Sequence, residues 1–258
     1  MVAPFWSCFV TRAPVLFGLL FHKRRDRPPC RSATLCCAAS STLVLLDRDG
    51  VINRDVGSPG VTDLADFSLI PCSARAVGRL HRMGCSTALV TNQSCVGKGL
   101  LSRSGLDDVH RRMNDMLRSE DIDAAIESIY VCTSTRESGD LRMKPHPGMI
   151  LEAVEKFRPG GSFFFVGDTV TDLQAASRAS TLTGKNVRRI LVSTGYGRSV
   201  MGGRTPTDPV FLGTAEAALE YTGGHDERAA AVLEEICPFL YVQDLGGAVD
   251  WLLEESHA

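Results

Sequence analysis

Short apolar runs that stop abruptly at polar residues constrain this chain more than any other feature. Leu43-Val44-Leu45-Leu46 ends at Asp47, Thr87-Ala88-Leu89-Val90 ends at Thr91, and Phe163-Phe164-Phe165-Val166 ends at Gly167-Asp168. A strand that is apolar on both faces must be covered on both, as in a parallel sheet between two helix layers. Residues 126–132, 189–192 and 239–242 read as further strands. Between the strands the apolar positions shift to helical spacing. Ala76, Val77, Leu80 and Met83 mark a helix over 73–83 that Gly84 stops. Leu106, Val109, Met113, Met116 and Leu117 mark another over 105–118. Residues 147–157, 171–180 and 245–253 complete the set, with Pro147 suited to a first helical turn. This β-α-β-α order predicts an α/β fold with a doubly wound, mostly parallel sheet. Residues 133–144 read as a loop, 197–211 as an irregular excursion, and 214–235 as a local helical addition. The spacings leave no room for a large cap domain.

The chain has 258 residues, 44% of them apolar, enough for one full core with short additions. A formal net charge of −2 points away from a nucleic-acid-binding protein. The charge is uneven. Residues 1–40 carry six basic side chains against the single Asp26, a net of +5, which leaves −7 on the remainder. Such a basic leader predicts a plastid or mitochondrial transit peptide, with the folded body over 41–258 and an insertion at about 198–235. A secretory signal is the rival reading, because residues 15–21 form an apolar run; a disordered tail on a cytoplasmic protein is the plainer one. That run falls short of the roughly 18–20 residues a membrane span requires. Nine cysteines without a C-x-x-C pair do not form a disulfide framework and read as buried reduced thiols.

Ligands of an open α/β sheet sit beyond the carboxyl ends of its strands. The first strand delivers Asp47 and Asp49 there, and the second delivers Thr91, Asn92, Gln93 and Ser94. The loop after the third ends in Lys144-Pro145. The fourth delivers Asp168, with Asp172 one turn later. Each segment alone also fits a bland role. D-x-D-G fits a turn, V-T-N any strand exit, and G-D-x-x-x-D a helix N-cap. Together they suit phosphoryl transfer. Clustered carboxylates call for a cation, and a few hard oxygen ligands favour Mg²⁺. An ionised Asp can attack phosphorus, and a second carboxyl can protonate the leaving oxygen. Lys and Thr can stabilise the transferring group. No G-x-x-x-x-G-K-[ST], early G-x-G-x-x-G or nucleophile elbow competes.

The order D-R-D-G-V-I-N, T-N-Q-S, K-P-H-P-G-M and V-G-D-x-x-x-D resembles the haloacid dehalogenase (HAD) superfamily of phosphatases. Within it, the chain is similar to the heptose bisphosphate phosphatase and histidinol-phosphatase group, from about Leu43 to Gly197. The resemblance implies a HAD-like Rossmannoid fold and a small phosphorylated metabolite as substrate. It implies Asp47 as nucleophile and magnesium ligand. Asp49 would be the acid/base, lending its backbone carbonyl to the metal. Thr91 and Lys144 would stabilise the phosphoryl group, Asp168 would bind magnesium, and Asp172 would support it. Asp55, Gly57 and Ser58 match segments that contact substrate, as do Asn92, Gln93 and Ser94. A catalytically silent binding module and a phosphotransferase are the alternatives in activity.

The chain departs from the family in one loop. The family's zinc pattern, C-x-H then C-x-C, is reduced here to Cys132, with Ser134, Asp140 and Arg142 at the other positions. One cysteine cannot hold a four-coordinate structural zinc, so no zinc is expected. Met143 replaces the arginine before the lysine, and Thr169 replaces a lysine after the metal aspartate. Both changes remove positive charge suited to a bisphosphate. Arg142 stands next to Met143, though adjacent side chains point differently.

Overall fold

The computed structural model describes residues 42–161, 163–223 and 227–255; the leader expected over 1–40 lies outside them. β1 (Leu43–Leu46) is followed by α1 (Ser73–Arg82), β2 (Ser86–Asn92), the short α2 (Ser94–Gly97) and the long α3 (Arg103–Glu120). β3 (Ser128–Cys132), α4 (Gly148–Phe157), β4 (Phe163–Gly167), α5 (Val170–Thr183) and β5 (Val187–Val192) continue the alternation. The excursion then contributes α6 (Gly197–Val200), β6 (Val210–Leu212), α7 (Ala215–Thr222) and α8 (Glu227–Ile236). β7 (Phe239–Val242) and α9 (Leu245–Glu255) close the domain.

The sheet runs β3-β2-β1-β4-β5-β7-β6, and every neighbour pair is parallel except β6 on β7. Strand alternation divides the core. Val44 and Leu46 face Leu80 of α1, Met113 of α3 and Val249 of α9. Leu43 and Leu45 face Ile150 of α4 and Ala176 of α5. All four β1 side chains are buried, so this strand is covered on both faces, as its unbroken apolar run requires. A third cluster joins Leu191 and Tyr241 of the sheet to Ala218 of α7 and Leu233 of α8. That cluster is what anchors the excursion.

Two expectations need correction. Residues 197–211 were expected to be irregular, but they end in β6, an edge strand too short to show an alternating pattern. Its geometry comes from pairing with β7. The cysteines were expected to be buried; of the five described, Cys85, Cys95 and Cys132 are, whereas Cys237 is half-buried and Cys72 is exposed. It occupies a left-handed turn before α1 (φ 68), outside any packed layer.

The chain leaves β1 toward β2 and β3, and leaves β4 toward β5 and β7. The β1–β4 boundary is therefore the topological switch point, where the carboxyl ends of two strands open onto one crevice. Among the described residues no cap domain covers it: β1 and β2 are joined by turns and α1, and β3 and β4 by a loop and α4.

Candidate active site

Asp47 lies one step past Leu46, which pairs with Leu89 and Val166, and its amide donates to the Val166 carbonyl at 2.9 Å. Lys144 reaches in from the loop after β3. Its Nζ lies 2.9 Å from Asp47 Oδ1 and 2.6 Å from Asp172 Oδ1, and donates to the Val90 carbonyl at 3.0 Å. Asn92 sets that reach. Its side-chain oxygen accepts from the Lys144 amide and its NH₂ donates to the Lys144 carbonyl, both at 3.0 Å. Asp172 sits in the first turn of α5, where it and Thr169 form a capping box. Its Oδ2 accepts from Thr169 N at 2.9 Å, Thr169 Oγ1 at 2.7 Å and Asp168 N at 3.2 Å. Its Oδ1 faces Lys144.

Asp168, at the end of β4, accepts from the Tyr196 amide at 2.8 Å. Two glycines make room for it. A Cβ on Gly50 would lie 2.2 Å from Asp168 Oδ2, and one on Gly195 2.0 Å. Both positions also have left-handed φ, 78° and 58°, which only glycine adopts without strain. Thr194 ties the two loops together by donating its hydroxyl to the Gly50 carbonyl.

Asp47, Asp168 and Asp172 are all buried and present carboxylate oxygens within 4.8 Å of one another. Among the described residues Lys144 is the single cation paired with them, so the fully ionised set carries surplus negative charge there. Burial raises Asp168 to about 9, with Asp172 and Asp47 adding to the rise. Burial also raises Asp47 to about 7, against the pull of Lys144. For Lys144, Asp172 and Asp47 outweigh burial and raise it above its usual range, which keeps it charged. Buried oxygen donors that repel one another in this way fit a hard divalent cation such as Mg²⁺.

Asp49 belongs to a separate network. It accepts from Arg48 Nη2 at 2.9 and 3.1 Å, Asn53 Nδ2 at 2.8 Å and Gln93 Nε2 at 2.9 Å. Gln93 in turn donates to Thr91 Oγ1 at 3.0 Å and accepts from Arg48 Nη2 at 2.9 Å. Burial alone would raise Asp49. The Arg48 charge and the bonds from Asn53 and Gln93 outweigh it and hold the carboxyl below its usual range. The two aspartates of D-R-D are thus held in different electrostatic surroundings.

The other expected residues fall in different places. Asp55 accepts from Gly57 N at 2.9 Å and lines a cavity of about 380 Å³ with Arg54, Ile70, Pro71, Thr194 and Gly195. Gly57 and Ser58 continue that turn, and Ser58 is exposed. Asn92 and Gln93 spend their polar atoms on Lys144, Asp49, Thr91 and Arg48, whereas Ser94 opens α2. Arg48, Asn53 and the Thr194-Gly195-Tyr196 loop were not singled out from the sequence. A further look at the polar exit of β5 would have found the loop. Arg48 carries a different signal, a charge directly after an all-buried strand.

The loop after β3 is organised around Asp140. Ser134 Oγ and Cys132 Sγ donate to its Oδ2, and the Arg142 amide donates to Oδ1 at 2.8 Å. Arg142 turns away from the crevice. It grips Glu152 with Nε at 2.6 Å and Nη2 at 3.1 Å, and donates to the Val131 carbonyl. Met143 packs on the α4–α5 side of the core.

The family model "haloacid dehalogenase-like hydrolase" matches residues 59–180. The chain is 32% identical over 168 residues to D-glycero-beta-D-manno-heptose-1,7-bisphosphate 7-phosphatase of Pseudomonas aeruginosa, covering 65% of this chain and 89% of that protein. Over 167 residues it is 34% identical to the enzyme of that name from Escherichia coli, covering 61% and 83%. Its fold matches the crystal structure of D,D-heptose 1,7-bisphosphate phosphatase from Bordetella bronchiseptica complexed with magnesium and phosphate. The TM-score is 0.64 and the identity 27%, over 83% of this chain and 99% of that one. A buried carboxylate cluster and lysine at the switch point of this sheet, and relatives of this kind, lead to one assignment: the chain belongs to the haloacid dehalogenase-like hydrolases and is a phosphatase, a phosphoric monoester hydrolase.

Proposed function

We propose that the protein removes a phosphate from a small sugar phosphate, with Asp47 as nucleophile. The observation that carries this reading is the placement of Asp47 against Lys144 and beside Asp168, with Asp49 two residues on but in a separate network. Asp47 attacks phosphorus, the bond to the sugar oxygen breaks, and an aspartyl phosphate forms. Lys144 and Thr91 stabilise the charge on the transferring group. Asp49, having taken up a proton from solvent or from the bound phosphate, gives it to the departing oxygen, then takes a proton from the water that attacks the aspartyl phosphate. Its ionised, fully bonded form is the one required for that second half. Mg²⁺, held by Asp47, Asp168 and the backbone carbonyl of Asp49, would neutralise phosphate oxygens and relieve the repulsion among the carboxylates. Asp172 acts behind these groups. One oxygen caps α5 and the other holds Lys144.

The names of the relatives point to a heptose 1,7-bisphosphate as the sugar, hydrolysed at position 7. Phosphate release from that compound in the presence of Mg²⁺ is the direct test. Asp47→Asn is expected to lower turnover by roughly four orders of magnitude or more while the thermal melt is retained. Full turnover by this variant, or by wild type in excess EDTA, would sink the mechanism.

A further inference from the structure

A sugar with two phosphates presents two anions, and the Asp47–Lys144 centre takes one of them. The second requires a cation that no carboxylate of the protein already holds. Arg48 is fully buried and tied to Asp49 and Gln93. Arg142, beside the methionine before Lys144, is gripped by Glu152. Arg178 is paired with Glu235 and bonded to the Pro145 carbonyl.

Arg54 differs from all three. It follows directly on Asn53, it is exposed, and its side chain makes no hydrogen bond or ion pair among the described residues. It lines the cavity of about 380 Å³ beyond the carboxylate cluster, a volume near the lower end of the roughly 300–1,000 Å³ typical of small-molecule sites. Gly195 is the shared wall. It lines this cavity and at the same time leaves the space that Asp168 fills. The one carboxylate in the lining, Asp55, accepts from the Gly57 amide through Oδ1. An anion entering this cavity would find an unpaired guanidinium on one side and, on the other, a carboxylate with one oxygen turned to a backbone amide.

We propose that Arg54 binds the second phosphate of the substrate in this cavity and thereby selects sugar bisphosphates over monophosphates; this rests on the phosphatase reading given above. A guanidinium is suited to the task because it can meet two phosphate oxygens at once. Arg54 is a specificity residue, remote from the bond that breaks.

The test compares heptose 1,7-bisphosphate with heptose 7-phosphate, which differ only in the second phosphate. For the full chain with Mg²⁺, the preference for the bisphosphate in kcat/KM is expected to fall at least about tenfold in Arg54→Gln, mainly through KM. Arg54→Lys is expected to recover part of it. An unchanged ratio, or equal losses on both sugars, would overturn the proposal. Calorimetric binding of heptose 1,7-bisphosphate to Asp47→Asn, with and without Arg54→Gln, separates this outcome from failure of the phosphatase reading. If wild type releases no phosphate from either sugar, that reading fails and the calorimetry alone decides. Binding at least tenfold weaker without Arg54 supports its role, and equal binding rejects it.

Discussion

Gln93 holds three functional groups in register. Its carbonyl accepts from Arg48, which leaves its NH₂ to face Asp49 and Thr91. Replacing it with Leu removes a bond from Asp49 and one from a buried guanidinium, which costs about 1–3 kcal/mol for each group left unmet. Gln93→Leu is expected to lower kcat by roughly 10- to 100-fold, with KM changed far less, because the proposed mechanism uses Asp49 mainly in the chemical steps. A fall in KM-dependent binding alone would assign Gln93 to the substrate instead. The raised carboxyls of Asp47 and Asp168 lead to a second prediction. The folded protein keeps protons on these groups that the unfolded chain releases near 3.8. Without metal, these two groups therefore contribute a decline in stability as pH rises between about 4 and about 9, opposed below about 6.5 by His110, which burial lowers to about 4. The lowered carboxyl of Asp49 acts in the opposite sense, but only on the acid side of its ordinary value. A cation that replaces those protons reverses the decline. Thermal melts in EDTA and in saturating Mg²⁺ are expected to differ more at pH 8 than at pH 5, and a gain independent of pH would locate the cation elsewhere.

At the level of elements, each functional side chain is aimed by the end of a strand or the start of a helix. The capping box of α5 fixes Asp172, β2 aims Asn92 at the Lys144 backbone, and the loop after β5 folds back over Asp168. That loop makes a sharp prediction. Gly195→Ala places a methyl where Asp168 Oδ2 now lies, and at φ 58. The Mg²⁺ concentration needed for half-maximal activity is expected to rise about 10- to 100-fold. Gly203→Ala is the control, since it also has left-handed φ (81°) but opens onto free space. It is expected to cost about 1–2 kcal/mol in a thermal melt and to leave the metal requirement alone. Most elements were legible beforehand. β1, β2 and β4 are unbroken apolar runs, and Leu106, Val109, Met113 and Leu117 all lie on the buried face of α3. β6 was not legible, because three residues carry no period and their pairing partner lies about thirty residues away in sequence.

For the whole molecule, β1 is the axis: its two faces belong to two different cores, and its carboxyl end opens the crevice. Each of the three core clusters among the described residues is assembled from position 43 onward. The basic, acid-poor composition of residues 1–40 suits a removable leader, so a chain lacking them is expected to melt cooperatively and to release phosphate at the rate of the full chain; circular dichroism and a phosphate assay check this. What the sequence determined alone was the layer order, the strands and the residue types delivered to their ends, because burial on both faces and strand exit are local properties of composition. It also proposed Asp47, Asp49, Lys144 and Asp168 as a chemical set, from the polar residues at the strand ends. Only the tertiary structure decided how that set divides. Asp172 serves Lys144 and the α5 cap, Asn92 serves the Lys144 backbone, and Arg142 is lost to Glu152 while Arg54 stays unpaired beside the cavity. The physical reason is that a charged or amide side chain takes its role from the partner it meets. Those partners lie up to 52 residues away, where only the packed sheet brings them within hydrogen-bond distance.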